Sequence, residues 1–193
     1  MVAEATLTET TAGLVPGSEG WFVMNARDAR WFDNPGRGHN LPLTGSDECE
    51  AETFFPMLGM SIRVLPPGEP NATYHWETEQ EDFFVLSGEG LLIVEGEERP
   101  LKQWDFVHCP PETRHALVGA GQGPCVILCA SSRQFQKDGP WGYYCSDEVA
   151  ARYNASSPED TQDGEIAYGR FEPPRPTRYR EGLLPNGRRG TGR

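Results

Sequence analysis

From Gly59 the chain alternates in character: Met60, Ile62 and Val64 are apolar, Ser61 and Arg63 between them are polar, and Pro66-Pro67-Gly68 ends the run. A period of two marks a strand with one buried face and sets Arg63 on the face opposite Met60 and Ile62. Further short predicted strands follow at close intervals: Phe83–Leu86, Leu91–Val94, Arg99–Leu101, Asp105–Cys109, His115–Val118 and Cys125–Ala130. Ser87-Gly88-Glu89-Gly90 reads as a hairpin between two of them, and Glu95-Gly96-Glu97 as a second turn. Short strands punctuated by Gly and Pro predict an all-β sandwich or barrel.

The flanks read differently. Residues 1–18, rich in Thr, Glu, Ala and Gly, show no period and are expected to be disordered, with Gly20–Asn25 as the first strand. Residues 26–57 carry frequent Gly and Pro and predict an irregular arm, in which His39 is expected to be an exposed loop residue. Beyond residue 132, Ser146-Asp-Glu predicts a short helix through Tyr153, and Ser157-Pro158 a second one stopped by Gly164. The tail from Phe171 holds six Arg, two Glu and four Pro and is expected to be flexible and solvated. The resulting division is a disordered segment 1–18, a barrel with its arm over 19–135, a helical extension over 136–170 and a basic tail over 171–193.

At 193 residues the chain is long enough to bury a core, and its net charge of −12 argues against nucleic acid or an anionic membrane as a partner. Neither a spanning apolar run nor a basic-then-apolar leader is present, so a cytoplasmic location is expected. Five cysteines without a Cys-x-x-Cys predict reduced thiols, with Cys125 and Cys129 on one face with Ile127 as small core residues.

Candidate chemistry gathers between residues 68 and 115. His75 and Glu77, two apart on a strand, point the same way; Tyr74 and Trp76 have the opposite parity and are expected to pack outside. Thr78-Glu79-Gln80 reads as a turn that returns Glu81 beside the pair, and His115 enters from a third strand past Pro110-Pro111. Two imidazoles and two carboxylates form a set that suits one divalent transition metal, Zn, Fe, Mn or Ni. His108 is read either as a cavity-facing group that supports the site or as a core residue bonded to a carbonyl.

These residues carry a family resemblance. Gly68, His75, Glu81 and Gly88 fill the first cupin motif, with Glu77 in place of its second His; Pro110 and His115 fill the second, with Trp104 and Glu112 in place of two of its glycines. The resemblance, spanning roughly residues 58–131, implies a double-stranded β-helix, or jelly-roll, barrel with a metal in its mouth at His75, Glu77, Glu81 and His115, and a homodimer. A small-molecule metalloenzyme, dioxygenase-like or isomerase-like, is the leading expectation; the alternative is a non-catalytic binding or sensing module in which the metal is structural.

Overall fold

The computed structural model describes residues 1–43, 57–133 and 141–185. Cys49 and part of the expected arm lie outside the described residues, as does the end of the tail. In chain order the strands are β1 (Leu7–Thr10), β2 (Gly13–Pro16), β3 (Trp31–Asp33), β4 (His39–Pro42), β5 (Leu58–Leu65), β6 (His75–Glu77) and β7 (Glu81–Ser87). They continue as β8 (Glu89–Val94), β9 (Glu97–Lys102), β10 (Phe106–Cys109), β11 (His115–Ala120), β12 (Cys125–Ser132) and β13 (Gly142–Tyr144). Helices α1 (Glu148–Ala151) and α2 (Gly164–Tyr168) and strand β14 (Arg175–Thr177) complete them.

Two antiparallel sheets face each other, one in the order β10-β7-β12-β5-β4-β3-β14 and the other β13-β6-β11-β8-β9. Leu65, Phe83, Val85 and Ile127 of the first sheet meet Leu92, Leu101 and Leu117 of the second in the central core. The jelly-roll expectation is met, and the strand parities explain it. In β11, Leu117 turns inward while Ala116 and Val118 pack outward with Tyr74, Ile93 and Ala150, so that strand is buried on both sides. Arg63 has the inward parity of Leu65; Ile62 and Val64 face outward into a third cluster with Trp31 and Leu41. Cys125 and Ile127 lie in the central core with Cys129 packed against it, and burial pushes the Cys125 thiol up to about 11. The four described cysteines are free.

The predicted hairpin at Gly88 is instead a crossing between sheets: β7 belongs to the seven-stranded sheet and β8 to the other. Gly88 has φ +81, and a Cβ there would lie 2.4 Å from the Pro124 carbonyl oxygen. Glycine thus lets the chain turn a corner where a side chain would collide. Glu95 (φ 48) and Gly96 (φ 74) do form the expected hairpin, joining β8 to β9.

The flanks hold most of the departures. Residues 1–18 form the hairpin β1–β2 rather than a disordered segment. Threonine is a good strand former, and the Thr10 hydroxyl donates to the Gly13 carbonyl (2.6 Å) while Ala12 and Val15 find buried places. Of the strand expected at Gly20–Asn25 only an isolated bridge, Trp21 to Glu4, forms. Residues expected in an irregular arm supply β3 and β4, and His39 sits half-buried in β4, 3.4 Å from Asp33.

At the other end, α1 starts one residue later than predicted because Asp147, not Ser146, caps it, accepting from the Ala150 N–H. No helix follows Ser157-Pro158. The N–H groups of Ser157 and Thr161 donate to the carbonyls of Cys145 and Tyr144, which holds this stretch extended beside β13. The second helix begins, rather than ends, at Gly164, capped by Asp163. The basic tail, expected to be free, pairs its β14 with β3, places Tyr179 5.9 Å from the buried Trp31 ring and joins Arg178 to Glu9. Acidic partners and an apolar seat, neither visible from composition, hold it down.

Candidate metal centre

Strands β6 and β11 are antiparallel neighbours with His75 directly opposite His115. Their ring centroids lie 5.0 Å apart. Each ring is anchored in the same way: Nδ1 donates to the carbonyl two residues earlier, Thr73 for His75 (2.7 Å) and Thr113 for His115 (3.0 Å). With Nδ1 protonated, each Nε2 is left as the lone-pair atom. Glu81 arrives from the facing sheet, its Oε2 3.0 Å from His115 Nε2 and 3.9 Å from His75 Nε2.

These three side chains offer ligand atoms that all lie within 4.8 Å of one another. Glu81 Oε2 and His115 Nε2 are buried yet are not aligned as a hydrogen bond, so each is an orphaned polar atom facing the same space. Such burial is unfavourable without a partner. Ligand atoms about 2.1 Å from a shared ion stand roughly 3.0 to 3.5 Å apart; Glu81 and His115 are at that spacing, and Glu81 and His75, at 3.9 Å, need a small inward shift to reach it. The donor set therefore fits a divalent transition metal.

Glu77, expected as a fourth ligand, stands beside this group: its Oε1 lies 3.5 Å from His75 Nε2. The two carboxylates are pushed apart in acidity. Burial and the Glu81 charge hold the Glu77 carboxyl above its usual range. For Glu81 burial also acts upward, but the charges of His115, His75 and Arg63 outweigh it and hold the carboxyl low. Burial pulls the His75 imidazole down, and its contacts with Glu77, Glu81 and Thr73 more than compensate, raising it to about 9.

The site opens into a cavity of ≈ 160 Å³ whose lining includes Arg63, Phe83, Cys129, Trp141 and Tyr144. Trp141 lies 6.0 Å from the His75 ring and 4.9 Å from that of Tyr144. Trp141 and Tyr144 were not legible as site residues, since they come from a stretch whose alternation is too short to read. Glu79, read as a turn residue, is buried and accepts from the Ser132 hydroxyl. His108 supports nothing in the cavity: on β10 the side chains of Val107 and Cys109 turn inward, and exposed His108 reaches Asp82 Oδ1 at 2.7 Å. Tyr74 is buried on the outer side of β6, as its parity requires.

Two positions where the motif has glycine keep a glycine-like backbone without the glycine. Trp104 has φ 77 and Glu112 φ 68, and the Glu112 N–H donates to the Glu77 carbonyl (2.7 Å). The corner thus tolerates a side chain by adopting the left-handed conformation, at a cost of about 1 kcal/mol each.

The cupin domain family matches residues 61–131. An uncharacterized protein of Methanocaldococcus jannaschii, MJ1618, is 31% identical over 68 residues, covering 35% of this chain and 54% of that protein. The chain thus spans about half the length of that relative. Among solved structures, a cupin 2 domain-containing protein from Halorhodospira halophila shares 19% identity at a TM-score of 0.45, covering 61% of this chain and 76% of that one. A cupin protein from Bacteroides fragilis shares 21% at a TM-score of 0.42, covering 53% and 83%.

Proposed function

We propose that this chain, whose residues 61–131 form a cupin domain, is a small-molecule metalloenzyme in which His75, Glu81 and His115 hold one divalent transition metal and Glu77 moves a proton. The carrying observation is the convergence of two anchored imidazoles and a low-lying carboxylate on one buried point. Such a nitrogen and oxygen set suits Zn, Fe, Mn or Ni. When bound, the ion supplies Lewis acidity that stabilises negative charge on a substrate oxygen.

The remaining work falls to the protein. Glu81 is the anionic ligand within the donor group; Glu77, whose Oε1 lies 3.5 Å from His75 Nε2 beside that group, accepts a proton from carbon or returns it. A carboxylate among the donors and a second one beside them divide the roles of ligand and base. Phe83, Trp141 and Tyr144 line the space beside the transferring proton. This favours the isomerase-like form of the metalloenzyme reading, proton abstraction next to a carbonyl, over the dioxygenase-like one.

Elemental analysis of protein purified without added metal tests the first half, with one ion per chain expected and none in His75→Ala. The second half is read by NMR in D2O, as exchange of carbon-bound hydrogen in small carbonyl compounds. Full metal occupancy with no such exchange would remove the proton-transfer role.

A further inference from the structure

One cation inside the barrel has no part in holding the ion. Arg63 projects from the middle of β5, opposite Asn40 on β4 and Ile127 on β12, and lines the cavity that contains His75, Glu77 and Glu81. It is close enough for its charge to bear on Glu81 and Cys129. Even so, Glu81 directs its Oε2 at the imidazoles, and no carboxylate among the described residues forms an ion pair with Arg63. Guanidinium is always charged, and its planar fork of donors matches a carboxylate.

The charge balance of the lining gives the sign of what would bind. Arg63 stands against Glu77 and Glu81, so a bound dication leaves the space net positive inside a chain whose net charge is −12. The net charge of the chain disfavours a small anion, and the balance within this space favours one. At ≈ 160 Å³ the cavity is smaller than the usual drug-sized site, which limits the occupant to a few carbons, and Trp141, Tyr144 and Phe83 offer those carbons an apolar wall.

Building on the metal reading above, we propose that the ligand is a small carboxylic acid with at least one further oxygen, its carboxylate received by Arg63 and its second oxygen turned toward His75, Glu81 and His115. Arg63 is the specificity-determining residue of the cavity. A neutral analogue of the same shape leaves the guanidinium desolvated without a partner, and that is what gives the preference for an acid.

The test is calorimetric titration of the zinc-loaded protein with lactate, pyruvate and 3-hydroxybutyrate, each beside its neutral amide. At least one acid is expected to bind ten or more times tighter than its amide. Arg63→Gln should weaken that acid by on the order of 30-fold and leave the amide unchanged, with Arg63→Lys recovering part of the loss. The acid-to-amide comparison on the unaltered chain stands even if Arg63→Gln fails to fold. Acids bound no better than amides, or bound equally by folded Arg63→Gln, would overturn the proposal. Zinc content of the same samples separates the two readings. One zinc per chain with no acid bound removes the acid site alone, whereas acid preference that depends on Arg63 in protein that retains no zinc supports the acid site and removes the metal reading.

Discussion

His75 and His115 face each other across one rung of the β6–β11 ladder, and each is tied through Nδ1 to the carbonyl of the threonine two residues before it. Both Nε2 atoms are therefore aimed by the backbone itself, which makes the pair preorganised for an ion.

If Glu81 is a ligand and Glu77 a neighbour, their amides will behave differently. Glu81→Gln is expected to weaken metal binding by about 100-fold or more, and Glu77→Gln by about tenfold at most. Competition with a chelator of known affinity measures both, and equal losses would place Glu77 among the ligands.

Acidity changes give a second expectation. In the metal-free protein His75 titrates at about 9, above its ordinary 6.5, so the stability from its proton is fully present below about pH 6.5 and is lost as pH rises through 9. The loss is on the order of 3 kcal/mol at most. Glu81 has the opposite sign: its lowered carboxyl stabilises above its ordinary value and ceases to do so as the solution is acidified below it. Metal must displace the His75 proton, so affinity should rise about tenfold per pH unit between 6.5 and 9. Denaturant melts across this range, with and without zinc, check both trends; a metal-free protein no less stable at pH 9 than at 6.5 would contradict the assignment.

The left-handed backbone at Glu112 makes a stabilising substitution available. Glu112→Gly relieves the φ 68 strain and adds freedom to the unfolded chain, for a net gain of about 0.5 to 1 kcal/mol. A raised midpoint in urea is the expected reading. Trp104→Gly, at φ 77, should gain less because the Trp104 ring also packs 5.9 Å from Phe84.

Tyr179 anchors the tail against Trp31, which is fully buried. Tyr179→Ala is expected to destabilise by about 1 to 2 kcal/mol, since the ring is only half-buried. Proteolysis near residue 175 should accelerate in the variant; unchanged cleavage would mean that β14 is held by its ladder alone.

Much of the site was legible because strand parity is a local rule. His75 and Glu77 share a face, Tyr74 takes the other, and the pattern of β5 turned Arg63 away from Ile62. Which of those faces was the inside required the second sheet, and so Arg63 could not be recognised as a cavity residue from its own strand. Gly88 misled for a related reason: a glycine between two apolar runs looks the same whether the chain folds back or turns a corner, and only the Pro124 carbonyl against it decides. The tail shows the limit of composition. Six arginines and four prolines describe a solvated segment until Glu9, Asp33 and Trp31 are brought beside it by distant parts of the chain.

The pairing of Arg175–Thr177 with Trp31–Asp33 also bears on synthesis. A growing chain has made His75, Glu81 and His115 long before the strand that closes the outer edge of the larger sheet leaves the ribosome. Contacts so distant in sequence form late. A nascent chain that meets a metal ion thus has its donors in hand while this border is still open, and capture during translation would precede the final seam.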